Sequence, residues 1–225
     1  MFSLLYLERS INSNISKLNV EILFAFVAAT SVLAISPGPD NIYVLMQSIT
    51  NGRKYGMATV MGLISGCIIH TTLLAFGVSA IIKNNENIFF IIKLCGASYL
   101  IYLAYKVYTS KDVINLSGEG VAKRSALQLF KQGFVMNVLN PKVTIFFLAF
   151  FPGFLFSKEL NTVVQFYVLG FLFMFVSLVV FSIIVILSSF ISDYFMKNQK
   201  TVIFFKWLQI IVFIGIAIFL FSSNK

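Results

Sequence analysis

Two short polar stretches interrupt an otherwise apolar sequence: Ser36-Pro37-Gly38-Pro39-Asp40-Asn41 and Asn137-Val138-Leu139-Asn140-Pro141-Lys142. Proline lacks the N–H that would bond the carbonyl four residues back. Pro37 and Pro39 therefore release the carbonyls of Leu33 and Ile35, and Pro141 releases that of Asn137. Gly38 adds the freedom to turn sharply. Pro141 is suited to start a new helix, with Asn140 as its cap. Each stretch thus places a helix end, rich in carbonyls and partial negative charge, beside a helix start with free N–H groups and partial positive charge. A small zwitterion requires both poles, and Asp40 and Lys142 add an acid and a base. The expected substrate-binding set is Pro37, Gly38, Pro39, Asp40, Asn41, Asn137, Asn140, Pro141 and Lys142. Plainer readings stand beside it: a kink for packing, Asp40 as a helix cap favoured by the local dipole, and Lys142 as a structural counter-ion to Asp40.

Other candidates are weaker. His70 is the sole histidine, which opposes a metal site built from several ligands. It reads either as a buried, hydrogen-bonded side chain or, with Asp40, as part of a proton relay. Cys67 and Cys95 both fall in apolar segments without disulfide or zinc spacing, so both are expected to act as small buried hydrophobes. Gly52, Gly56, Gly62 and Gly66, with Ser65, have the spacing that lets helix backbones approach closely. Gly96, Ala97 and Ser98 repeat that theme, and Tyr99, Tyr102 and Tyr105 could reach polar groups or the membrane interface. Phe146, Phe147, Phe150 and Phe151 are expected to face lipid or fill the bundle.

The elements that carry these residues are set by composition. Of 225 residues, 59% are hydrophobic and only 11% charged, and the mean hydropathy is +0.92. Such a chain expects a bilayer as its solvent. Apolar stretches of roughly twenty residues recur, each able to cross a hydrocarbon core about 30 Å thick. The expected spans are Ile22 to Thr50 (broken), Met57 to Ile82, Ile88 to Thr109, Ser125 to Phe156 (also broken), Val163 to Phe190 and Val202 to Phe221. The formal charge of +9 comes from loop lysines and arginines, so topology explains it and nucleic acid is not an expected partner. Residues 1–20 read as a polar, disordered tail, or as a translation start placed upstream of the true one, and carry no secretory signal.

Arg53 and Lys54, then Lys106, Lys111, Lys123, Arg124 and Lys131, then Lys197, Lys200 and Lys206 all border connections on one side, which the positive-inside bias assigns to the cytoplasm. Both termini are then expected outside. The polar loop 110–124 divides one transmembrane domain, 21–225, into halves 21–109 and 125–225. With three spans each, the halves must be inverted relative to one another, and Pro39 and Pro141 fall at corresponding places. The expected fold is an all-α polytopic membrane protein: six transmembrane helices in an inverted 3+3 repeat, with helices one and four broken.

The ordered set formed by these breaks, Gly52-Arg53-Lys54-Tyr55-Gly56, Gly62 with Gly66 and His70, Gly96-Ala97-Ser98-Tyr99-Leu100, and Gly133-Phe134 with Asn137 and Asn140-Pro141-Lys142 resembles the LysE/RhtB amino-acid exporter family, from about Ile22 to the C-terminus. The resemblance implies a bacterial cytoplasmic (inner) membrane exporter of basic, small neutral or homoserine-like amino acids. It further implies secondary active transport driven by protons, without cofactor or metal and without enzymatic activity. Expected partners are the amino acid, protons and lipid, with a homodimer open to it. Two rival architectures are a thiol-disulfide transmembrane electron carrier, which would need redox cysteines near the breaks, and a metal-ion exporter, which would need more histidines and carboxylates.

Overall fold

A computed structural model describes residues 19–36, 38–80, 86–109, 124–190 and 199–222. Residues 1–18, most of the central loop and Pro37 lie outside the described residues, as do Lys83, Lys111, Lys123 and Lys197. The described secondary structure is helical: α1 (Val20–Ile35), α2 (Pro39–Thr50), α3 (Arg53–Leu73), α4 (Glu86–Thr109), α5 (Ala126–Val138), α6 (Pro141–Ile145), α7 (Thr162–Ile186) and α8 (Gln199–Ser222). A π-helical turn, Leu74–Val78, extends α3, while α6 continues through a π-helical turn, Phe146–Phe150, and a 3-10 turn, Phe151–Phe154.

Arg53–Val78 and Thr162–Ile186 are each long and apolar enough to cross a membrane alone. Two further spans are bent pairs, α1 with α2 at 59° and α5 with α6 and its extension at 49°. The two breaks expected from proline therefore exist where the sequence places them. Helices α4 and α8 are present at the expected places of spans three and six, and the described apolar core of α8 runs from Lys206 to Phe219. Large side chains such as Phe24, Phe76, Phe175 and Ile211 face outward. In water such a surface would associate, whereas hydrocarbon accepts it. The chain is a multi-pass membrane protein.

The interior is held by close backbone approach and by aromatic packing. A Cβ added at Gly62 would land on the Phe130 carbonyl, and one at Gly133 on the Thr59 carbonyl. Since Gly66 lies against Asn137, the contacts advance together along both helices, so α3 and α5 run side by side in the same direction. Their starts, with Arg53 and Lys54 on one and Arg124 on the other, share one end of the bundle. The small-residue spacing in α3 thus does what its pattern implies. Gly56 fits against Ser48 of α2, Gly96 of α4 against Ala149 and Gly170 of α7 against Thr71. At Gly52 the backbone adopts φ 98°, which glycine alone takes without strain.

Beside this seam lies a phenylalanine core. Phe146 stacks on Phe150 at 4.4 Å between centroids and Phe147 on Phe151 at 4.1 Å, and Phe26 of α1 meets Phe151 edge-on at 5.1 Å. All five are buried, so this run fills the bundle and does not face lipid. Buried Gln165 at the start of α7 accepts the Phe156 and Ser157 N–H groups and donates to the Ser157 and Leu160 carbonyls, tying down the turn before its helix.

Candidate functional site

The first break begins where α1 runs out of bonding partners at Ile35. The Ser36 N–H still bonds the Val32 carbonyl at 3.0 Å, and α2 then restarts with Pro39 as its first residue. The Asn41 side-chain amide turns back and donates to the Ala34 carbonyl at 2.7 Å. The carbonyl satisfied this way lies between the two that proline is expected to release. Gly38 occupies the N-cap position, and no side chain caps α2. Asp40 is therefore not the helix cap of the plainer reading; it sits in the first turn, with its carboxylate free to face elsewhere.

That carboxylate crosses to the other break. Asp40 Oδ2 accepts a hydrogen bond from Asn140 Nδ2 at 2.9 Å, across 100 residues of sequence. Asn140 does a second task as well: its Oδ1 accepts the Lys142 N–H at 3.0 Å and so caps α6, as expected. One amide thereby terminates one helix and holds the acid of the opposite break.

Lys142 lies one residue beyond Pro141, as Asp40 lies one beyond Pro39. A cation in the first turn of a helix opposes the dipole at a cost of about 0.3–1 kcal/mol, so helix stability does not account for it. Its ammonium interacts electrostatically with Asp40, lies 5.2 Å above the Phe213 ring of α8, and approaches within 3.3 Å of the place a Cβ would take on Gly38. A side chain at Gly38 would require that tip to shift by a few tenths of an ångström.

The Asn137 carbonyl, released by Pro141 as expected, receives His70 Nε2 at 3.1 Å. A carbonyl can only accept, so Nε2 carries the proton. His70 is buried and hydrogen-bonded, in line with the plainer of its two readings, and Nδ1 is the nitrogen left for any proton exchange. The Asn140 N–H adds a second bond to the same oxygen at 3.0 Å. An uncompensated carbonyl in hydrocarbon costs several kcal/mol, and here two donors remove that cost.

Both breaks open on one cavity of about 50 Å³, lined by Asp40, Asn41, Asn137 and Lys142 together with Leu33, Ala34, Leu63, Ile64, Cys67, Val143, Phe146, Phe173, Ser177 and Phe181. Gly38, Pro39, Asn140 and Pro141 flank it in sequence, and Pro37 lies outside the described residues. Helix α7 contributes to the lining without having been expected there. Ser177, a buried polar residue inside a strongly apolar span, is the available signal. Two buried oxygens near the breaks, Ser36 Oγ and Asn137 Oδ1, have no hydrogen-bond partner.

The cysteines divide. Cys67 is buried at the cavity, whereas Cys95 is exposed on α4, and both are free. Cys95 is therefore not the buried hydrophobe expected, because its face of α4 points away from the bundle. No group of three or more histidine, cysteine, aspartate or glutamate side chains suited to a metal occurs among the described residues.

Comparison with known proteins points the same way. Residues 31–224 match the family described as LysE type translocator. The chain is 28% identical over 207 residues to a Bacillus subtilis protein described as uncharacterized membrane protein YrhP, covering 87% of this chain and 96% of that one. It is 31% identical over 147 residues to a Salmonella typhimurium homoserine/homoserine lactone efflux protein, covering 65% of this chain and 70% of that one. No solved structure gives a significant match.

Proposed function

We propose that this chain, which belongs to the LysE type translocator family, is a secondary active exporter of amino acids or their close derivatives, resident in a bacterial inner membrane with both termini outside. The observation that carries the reading is the Asp40–Asn140 hydrogen bond, which joins two interrupted helices at the edge of a shared cavity. The efflux activity named for the Salmonella relative supports the substrate class. In this reading the described helices form six spans as an inverted 3+3 repeat within one transmembrane domain.

Asp40 and the carbonyl ends of α1 and α5 bind the substrate ammonium. Lys142 and the N–H groups at the uncapped start of α2 bind its carboxylate. Asn41, Asn140 and the prolines hold the two breaks in shape. A zwitterion exchanges the Asp40–Asn140 bond and the Lys142–Phe213 contact for its own charges. Protons supply the driving force through Asp40, with His70 Nδ1 as the second candidate relay. One proton entering per zwitterion leaving draws about 2.3 kcal/mol from each 100 mV. That sustains roughly a fifty-fold gradient, since about 1.4 kcal/mol is tenfold.

Inside-out vesicles test this directly, because export appears there as accumulation of labelled amino acid. Asp40→Asn and Lys142→Ala should each abolish proton-driven accumulation at normal protein levels. Unimpaired accumulation in both variants would remove the site, and indifference to a protonophore would remove proton coupling.

A further inference from the structure

The cavity is closed toward both ends of the bundle, and the two closures differ in kind. Helix α2 leads from it to the end that carries Arg53, Lys54 and Arg124, while Pro141–Phe154 leads to the opposite end. At 1.5 Å per residue the two paths are similar in length, about 18 Å and about 21 Å. What fills them is not similar. Toward the basic end the described filling is a small cluster: Val44 of α2, Val60 and Leu63 of α3, and Phe181 and Val185 of α7. Leu63 and Phe181 line the cavity itself. A polar tie across this cluster is Ser182 Oγ donating to the Met57 sulfur at 3.9 Å, and a thioether is a weak acceptor. Helix α2 is not free to part from α3, since Gly56 packs against Ser48. The last turns of α7 are the part that can withdraw.

Toward the opposite end Phe146 and Phe173 line the cavity, and Phe147, Phe150, Phe151 and Phe154 continue the filling turn by turn. Phe147 meets Phe173 edge-on at 5.0 Å, Phe150 and Phe154 lie 4.4 Å apart, and Phe154 reaches Phe219 of α8 at 5.1 Å. Paired rings of this kind gain attraction beyond the area they bury. Hydrogen bonds brace the same end: the Asn19 N–H donates to the Phe156 carbonyl at 3.0 Å, and Gln165 ties down the turn that follows. The stack nevertheless rides on a π-helical turn and a 3-10 turn. Irregular turns of these kinds mark hinges and functional sites within helices, so a segment so heavily packed is also built to change its winding.

We infer that the phenylalanine stack on Phe146–Phe154 is the outer gate of the transport path and the cluster of Val44, Val60, Phe181 and Val185 its inner gate, the direction of passage resting on the proposed export function. The structure is closed outward by the heavier gate, and withdrawal of the end of α7 opens it to the cytoplasm. Substrate then loads past Phe181, and it leaves when the irregular segment rewinds and carries the stack aside.

The chain carries its own reporter. Cys67 lines the cavity and Cys95 is exposed on α4, so Cys95→Ser leaves the cavity thiol as the sole one. The impermeant mercurial p-chloromercuribenzenesulfonate is applied to inside-out and to right-side-out vesicles containing the full-length protein. With both gates native, Cys67 should react at least about tenfold faster in inside-out vesicles, the ratio that about 1.4 kcal/mol between the two openings produces. Val60→Ala should raise the inside-out rate alone. Phe151→Ala should raise the right-side-out rate toward the inside-out one, whereas Phe151→Leu, which keeps a bulky apolar side chain, should not. Phe154→Ala serves in its place if Phe151→Ala fails to accumulate, and the comparison of the two vesicle types with native gates needs no gate variant at all. Equal rates from both sides, a faster right-side-out reaction, no reaction from either side, or a right-side-out rate unmoved by loss of either phenylalanine overturns the gate assignment. Accumulation of amino acid in inside-out vesicles would in each of those cases leave export intact. If labelling follows the two clusters while no amino acid accumulates, the export reading falls, and with it the direction of passage assigned here.

Discussion

The two helix breaks share a plan and differ in how firmly they are built. At the second, Asn140 caps α6, two donors hold the Asn137 carbonyl, and the bend is 49°. At the first, among the described residues, Gly38 provides no side-chain cap and Asn41 reaches back to the Ala34 carbonyl. Opposite charges stand at the equivalent positions, Asp40 on the sparsely bonded break and Lys142 on the well-bonded one. Helix–helix hydrogen bonds in membranes are worth on the order of 1 kcal/mol each, so the difference amounts to a few such bonds. Among the described residues the second break is thus the more densely bonded of the two.

Substitutions at Asn140 separate its two tasks and should have the largest effect. Asn140→Asp keeps an oxygen for the cap but replaces the donor facing Asp40 with a second carboxylate. Transport in vesicles should fall more than tenfold, a loss of at least about 1.4 kcal/mol of substrate or transition-state binding, with little loss of thermal stability. Asn140→Ala should lose transport and also about 1 kcal/mol of stability with the cap. Equal stability losses in the two variants would show that cap and bridge are not separable.

Next in size is the seam beside the second break. Gly62→Ala directs a methyl group at the Phe130 carbonyl and should cost about 1–3 kcal/mol by overpacking, read as a lower unfolding midpoint in detergent. Gly77→Ala, with open space around it, is the control and should be neutral. His70→Ala strips one of two donors from the Asn137 carbonyl and should cost about 1 kcal/mol, while His70→Gln should recover part of it. The smallest effect belongs to the first break: Gly38→Ala places a methyl 3.3 Å from the movable tip of Lys142 and should change stability by less than about 1 kcal/mol. A larger penalty at Gly38 than at Gly62 would reverse the ordering of the two breaks.

The breaks are legible in the sequence because proline chemistry is local. The missing N–H of Pro141 identifies the Asn137 carbonyl, and the Asn140 cap follows from residue type and position. What is not legible is pairwise and distant. Nothing in the sequence assigns Asp40 to Asn140 rather than to Lys142, because an amide and an ammonium both donate and only the packing of α2 against the second break decides between them. The place of α7 at the cavity is barely legible, because in so apolar a span only scattered polar residues such as Ser177 hint at which face turns inward. Cys95 is misread for the same reason, as an apolar helix in lipid can present a cysteine to either side. The glycine spacing of α3 announces close packing, but its partner, α5, is known only from coordinates.

The fusion of α3 to α5 limits how such a molecule can change shape. These helices come from opposite sides of the central loop, yet their main chains touch without intervening side chains. Parting the protein at the middle of its sequence would tear open its tightest joint. Any alternation between inward and outward access must therefore leave these two helices travelling as one body, with the swing confined to segments around them.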